Sequence, residues 1–146
     1  MTCIACNLST MAADTLWAGA DGGHYFASKV FQLEDGSLIG GAGGGHETVM
    51  EWIIRGSNQH DLPPLPADDA SYHILRLQKD GIYIYNSVLT PWKLKDRNYA
   101  VGLGADVALY CMRVLKKTPA VAVREAAKIN RCCGGTVEVL RVGVKK

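Results

Sequence analysis

Threonine at position 2 lies one cleavage away from becoming a nucleophile that carries its own base. Removal of Met1 would leave a hydroxyl and an α-amine on the same residue, the pairing that activates an otherwise weak hydroxyl nucleophile. The amine, with a reference pKa of roughly 7.7–8.0, would accept the Thr2 proton directly or through a water. A neighbouring cation would keep that amine neutral and lower the hydroxyl's pKa, and Lys29 is the candidate. Lys29 in turn needs a countercharge at a partly buried site, which Asp14 can supply. The run Gly40-Gly41-Ala42-Gly43-Gly44-Gly45 adds backbone that a substrate can approach closely, with the Gly41 N–H as an oxyanion donor. No Gly-Lys-Ser/Thr follows the run, so it is not a phosphate loop. Taken together these parts describe acyl transfer to Thr2 followed by hydrolysis of the ester. Singly they have plainer readings: Asp14 as a strand end, Lys29 as an edge-strand charge, the glycines as a turn.

The elements that must position these residues can be read from the sequence. Residues 2–7 and 10–15 are apolar segments around Asn7-Leu8-Ser9 and predict a hairpin. A loop centred on Leu8 pairs residue numbers summing to 16 and sets Thr2 opposite Asp14. The glycine-containing stretch from Trp17 to His24 reads as a loop. Ser28–Leu33 and Ser37–Gly41 predict a second hairpin around Asp35-Gly36. A two-residue loop there pairs numbers summing to 71 and brings Lys29 to Ala42, beside Gly41. Lys29 shares a strand face with Phe31 and Leu33, and a lysine on an apolar face is the exception that carries information.

After the glycine run, a helix is predicted over 46–55, with Val49, Met50, Trp52, Ile53 and Ile54 as its buried stripe and Gly56 closing it. Residues 57–70, with Pro63, Pro64 and Pro66, read as a surface connection. A third hairpin turns at Lys79-Asp80-Gly81, and strands are expected near Trp92–Leu94 and Tyr99–Leu103. A helix over 105–116 follows, with Asp106 at its start and Lys116-Lys117 at its end. Thr118-Pro119 opens another as N-cap and first helical residue. Thr136–Val142 is a last strand. The order predicts two mainly antiparallel sheets with helices outside, an α+β class, in one domain over residues 1–146.

Composition narrows the partners. The chain has 146 residues, 48% apolar and 21% charged, with a net charge of +2. Its basic residues are scattered, so no nucleic-acid partner is expected, and no apolar run reaches the ~18–20 residues of a membrane span. The N-terminus lacks a charged n-region and an apolar h-region, and the start at Met1-Thr2 predicts no long propeptide. A cytoplasmic location is the expectation. Five cysteines in an odd, unpaired pattern fit a reducing compartment. Cys3 and Cys6, three apart on a strand, point to opposite faces, so buried thiols are expected rather than a metal site, and no cofactor is implied.

Thr2-Cys3-Ile4-Ala5, Met11-Ala12-Ala13-Asp14-Thr15, Ser28-Lys29-Val30-Phe31-Gln32-Leu33 and Ile39-Gly40-Gly41-Ala42-Gly43-Gly44 resemble proteasome β subunits, most of all HslV and its small bacterial and phage relatives. Tyr99-Ala100-Val101-Gly102-Leu103-Gly104 resembles the family's Ala-Ile-Gly-Ser-Gly strand end, and Cys132-Cys133-Gly134-Gly135 falls where the family has its last site loop. The resemblance runs in order along nearly the whole chain. It implies a four-layer α-β-β-α sandwich, the N-terminal nucleophile hydrolase fold, with threonine-type proteolysis inside a homo-oligomeric ring. It further implies Thr2 as nucleophile, Asp14 and Lys29 as the groups that tune it, and Gly41 as the oxyanion donor. Trp17, Ala27, Ile39 and Gly43 would line a roomy apolar pocket for the side chain preceding the scissile bond. Three positions depart from the pattern. Leu103 stands where the family has a supporting Ser, and Asn130 and Cys133 stand where it has an Asp and a Ser.

These residues imply a peptidase acting on peptides or unfolded proteins, fed by an ATP-dependent unfoldase and residing in a bacterial cytoplasm or encoded by a phage. The departures at Leu103 and Asn130 motivate a second reading, an impaired homologue that serves as an assembly subunit of a larger particle. A third is an amide hydrolase acting on small molecules, since fold does not fix substrate.

Overall fold

The computed structural model describes residues 2–19, 21–64, 71–86 and 88–143. Met1 and Pro66, both of which figured in the sequence reading, lie outside them. The first strand, β1 (Cys3–Asn7), is central in a four-stranded antiparallel sheet, with β10 (Asn98–Gly102) on one side and β2 (Thr10–Asp14) on the other, and β11 (Val137–Arg141) beyond β2. A second antiparallel sheet runs β5 (Val30–Gln32), β6 (Leu38–Gly43), β7 (Tyr72–Gln78), β8 (Gly81–Asn86), β9 (Trp92–Lys93).

Alternation along these strands creates three apolar layers. Ile4, Cys6, Met11 and Ala13 face Val30, Leu38, Leu75, Leu77 and Ile84 between the sheets. On the reverse face of the first sheet, Cys3, Ala5 and Ala12 pack under α2 (Ala105–Arg113) and α3 (Pro119–Ile129). Ile39, Ile74 and Tyr85 pack under α1 (His46–Ile54). The result is the α-β-β-α sandwich that the sequence predicts, and Cys3 and Cys6 do fall on opposite faces.

Several local expectations need correction. The first hairpin pairs Ile4 with Ala13 and Cys6 with Met11, so its numbers sum to 17 rather than 16. The Asn7 carboxamide accepts from the Ser9 and Thr10 N–H groups (2.9 and 2.8 Å) and closes the turn one residue later than a loop centred on Leu8. The second hairpin sums to 70. Its loop has three residues, Glu34-Asp35-Gly36, with Gly36 at φ 79° and its N–H donating to Leu33 O, a turn followed by a left-handed bulge residue. The stretch read as a loop after Trp17 contains a small hairpin, β3 (Leu16–Ala18) with β4 (His24–Phe26). Its glycines sit in the turn, where Gly22 has φ 80°.

At the helices, Ile54 is 49% exposed rather than part of the α1 stripe. Helix α2 stops at Arg113, because Lys116 adopts φ 54° and the Lys117 N–H reaches back to Cys111 O. Arg113, not the lysine pair, is the basic residue of its last turn. Thr118 caps α3 as expected, its hydroxyl accepting from the Val121 N–H. Among the described residues no helix is long and apolar enough to cross a membrane.

Candidate functional site

The start of β1, the end of β2 and the residue preceding β5 meet at one end of the sandwich. There Asp14, fully buried, accepts the Lys29 ammonium on Oδ1 at 3.0 Å. The same oxygen accepts the Cys3 N–H at 2.8 Å, and Oδ2 accepts the Gly134 N–H at 3.0 Å. Lys29 also donates to the Leu16 carbonyl at 2.5 Å. An ion pair with 1% and 0% of its side chains exposed is costly to desolvate, and it survives here because backbone donors and acceptors take up the remaining hydrogen-bonding capacity.

Thr2 is buried and one peptide unit from the N–H that Asp14 holds. Its carbonyl accepts the Gly104 N–H at 3.3 Å. Gly102, at φ 92°, lies so close beneath Thr2 that an added Cβ would come within 2.1 Å of the Thr2 carbonyl oxygen. The glycine that ends β10 is therefore what lets the start of β1 lie flat against that strand.

Gly41 lies near the end of β6, past Gly40, where pairing with β5 stops. A Cβ on Gly41 would meet the ring of His46 and the sulfur of Met50 at 2.7 Å, so its side-chain space is occupied by the first turns of α1. Register places residue 29 level with Gly41 rather than with Ala42, since the hairpin sums to 70.

Beside Lys29 lies a cavity of about 240 Å³ with mainly apolar walls, lined by Trp17, Ser28, Lys29, Phe31, His46 and Met50 among others. Of the four residues expected in a pocket, only Trp17 lines it. Ala27 is exposed and gives its carbonyl to the Trp17 indole N–H (3.3 Å). Ile39 is fully buried under α1, and Gly43, at φ 98°, is pressed against the Ser71 backbone. Phe31 does share Lys29's face, as strand alternation predicts. The residue that sequence reading missed is His46. Its signal was its place at the first helical position, four residues ahead of Met50, so that the two share one helix face.

His46 Nδ1 donates to the Gly43 carbonyl at 2.7 Å. Its ring stacks on Trp17 with centroids 6.1 Å apart and planes 20° from parallel. The Lys29 ammonium lies over the same indole, 5.5 Å from its centroid. Trp17 is thus flanked by the ammonium and the imidazole.

The loop after α3 supports this arrangement. Asn130 donates from its amide to Leu103 O (2.8 Å) and accepts the Cys132 N–H (2.9 Å). It thereby ties the end of β10 to the loop whose Gly134 N–H reaches Asp14. The Leu103 side chain is 62% exposed and faces away from these contacts, which use its carbonyl. Burial, reinforced by the neighbouring Asp14 carboxylate, pushes the Cys133 thiol up to about 11, and burial pushes Cys3 up further still. Neither thiol is a ready nucleophile at neutral pH.

No family model matches the chain, and no curated protein matches it by sequence. Solved structures do. HslV from Trypanosoma brucei is 16% identical, with a TM-score of 0.66 over 96% of this chain and 97% of that one. Thiobacillus denitrificans BPH in complex with epoxomicin is 19% identical, with a TM-score of 0.68 over 98% and 99%. Anbu from Hyphomicrobium sp. strain MC1 is 9% identical, with a TM-score of 0.67 over 97% and 81%. The four-layer sandwich is therefore the fold of HslV, BPH and Anbu, the proteasome-type architecture of N-terminal nucleophile hydrolases that the sequence resembles.

Proposed function

We propose that this chain is a threonine-type peptidase that uses Thr2, freed by removal of Met1, as its nucleophile. The observation that carries the reading is the buried Asp14–Lys29 pair, with one Asp14 oxygen shared between the Lys29 ammonium and the Cys3 N–H adjoining Thr2. Apolar residues of the same size often fill such a space at no greater cost to folding, which supports a use for the pair beyond stability. In the proposed reaction the Thr2 hydroxyl oxygen adds to the scissile carbonyl and its proton passes to the α-amine. The Gly41 N–H faces the oxyanion. Collapse of the intermediate breaks the C–N bond, and the leaving amine takes the proton from the α-amine. A water, deprotonated by the same amine, then hydrolyses the Thr2 ester. Lys29 holds a positive charge nearby throughout, and Asp14 fixes Lys29. We place this chemistry in a homo-oligomeric ring in a bacterial cytoplasm, or encoded by a phage, acting on peptides or on protein unfolded by an ATP-dependent partner.

Intact mass and N-terminal sequencing of the assembled protein, with and without epoxomicin, test the reading. Loss of Met1 and stoichiometric epoxomicin addition at Thr2, absent from Thr2→Ala, are expected. Full retention of Met1 in the mature assembly would overturn it.

The second reading is an assembly subunit without activity. It is favoured by the apolar surface that α2, α3 and the segment after β10 expose, at Leu103, Val114 and Ile129. Retained Met1 together with a stable oligomer would select it.

A further inference from the structure

We infer that the cavity beside Lys29 selects an aromatic side chain bearing a hydrogen-bond donor at its tip, that is tyrosine, and that His46 reads that donor. The inference rests on the peptidase reading for its place in a reaction, but the pocket itself can be tested without catalysis. At about 240 Å³ the cavity is smaller than the ~300–1,000 Å³ of sites that enclose whole small molecules, and it is suited to a single side chain. Its walls are the Trp17 and Phe31 rings and the Met50 thioether, an apolar surface for an aromatic body.

One polar atom in this wall is left with capacity. A carbonyl can only accept, so the contact to Gly43 O, with the Glu47 carboxylate 3.5 Å from the same nitrogen, places the His46 proton on Nδ1 and makes Nε2 the acceptor of the neutral ring. Among the described residues no hydrogen-bond donor reaches Nε2. The ring cannot turn away, because its Cδ2 edge rests over Gly41 and its face stacks on Trp17. A phenol O–H satisfies that acceptor, whereas phenylalanine or leucine would bury it unpaired.

The other candidates fit less well. A lysine or arginine side chain would bring its charge to the wall that already holds the Lys29 ammonium. An acidic one would meet Glu47 and Glu51 at the rim and offers His46 Nε2 no proton.

The test is binding of N-acetylated tripeptide amides ending in Tyr, Phe or Lys to the full-length Thr2→Ala protein, followed by the His46 ring-nitrogen resonances. The Tyr peptide is expected to bind about threefold to tenfold tighter than the Phe peptide, with a shift at Nε2 that the Phe peptide does not produce. In His46→Leu the ratio should fall to near one. Should that variant fail to fold, the Nε2 shift in the His46 protein decides alone. Equal binding of Tyr and Phe peptides with Nε2 unmoved overturns the pocket assignment. A Tyr preference in a protein that epoxomicin fails to label overturns the peptidase reading and supports the pocket.

Discussion

Asp14 Oδ1 accepts both the Lys29 ammonium at 3.0 Å and the Cys3 N–H at 2.8 Å. That sharing follows from register. With the first hairpin summing to 17, Asp14 lies level with Cys3 just where the β1–β2 ladder ends at Ile4 and Ala13. The carboxylate replaces the next ladder carbonyl and, in doing so, carries a negative charge to the start of β1. Lys29 arrives from the other sheet, so the pair also joins the two sheets at the end where Thr2 lies.

Lys29→Ala should therefore affect two properties together. It removes one partner of a fully buried pair and leaves Asp14 with two N–H donors but no countercharge. We expect a loss of about 3 kcal/mol, the low end of the ~3–5 kcal/mol range for breaking a buried pair, and no peptide cleavage. Urea denaturation and a peptidase assay on the same preparation check this. Unchanged stability would show that the pair is more hydrated than its burial indicates.

Asn130→Asp tests the departure from the proteasome pattern. The amide both donates to Leu103 O and accepts from the Cys132 N–H, and a carboxylate can only accept when ionised. The substitution should weaken folding by about 1 kcal/mol at most, the net worth of a hydrogen bond to a carbonyl that water can reach, rather than restore a missing catalytic charge. The change should be smaller below pH ~4, where a protonated Asp can again donate. The stability difference between the parent protein and the Asn130→Asp variant, measured across pH 3–7, distinguishes the two accounts.

Much of this was legible from residue types. The Thr118-Pro119 start of α3, the Gly56 stop of α1, the third hairpin and the meeting of Asp14 with Lys29 all follow from local chemistry. What escaped depended on details of closure. Asn7 tightened one turn and Glu34 joined another, each shifting a register by one. The pocket wall escaped for a different reason. His46, Met50 and Phe31 come together around one cavity because α1 packs over β6 and β7 while Phe31 comes from β5, and periodicity within either element cannot show what the other presents to it.

Gly102→Ala should impair Thr2 without touching any group that carries charge. The new methyl would collide with the Thr2 carbonyl at a residue already held at φ 92°. Both effects push the start of β1 away from β10. We expect a loss of at least ~1 kcal/mol from the positive φ alone and a larger fall in epoxomicin labelling than in global stability. Equal losses in both would mean that Gly102 serves packing rather than the placement of Thr2.

Thiol reactivity offers a check that needs no substrate. Cys133 is buried, with its thiol raised to about 11, and burial lifts Cys6 to about 12. Cys3 is buried and raised as well, and Cys111 is buried in the α2–α3 layer. Cys132, half-buried in the loop after α3, is the accessible thiol of the five. Because the thiolate is the reacting species, a thiol with a pKa near 11 has on the order of one part in a thousand ionised at pH 8, and burial blocks the reagent as well. Iodoacetamide at pH 8 should therefore add a single label to the native protein, on Cys132, and five after denaturation. Labelling of Cys133 at a rate close to that of Cys132 would mean that the loop opens in solution. In that case Gly134 could not hold Asp14 as the structure shows, and the carboxylate's orientation toward Lys29 would rest on the Cys3 N–H alone.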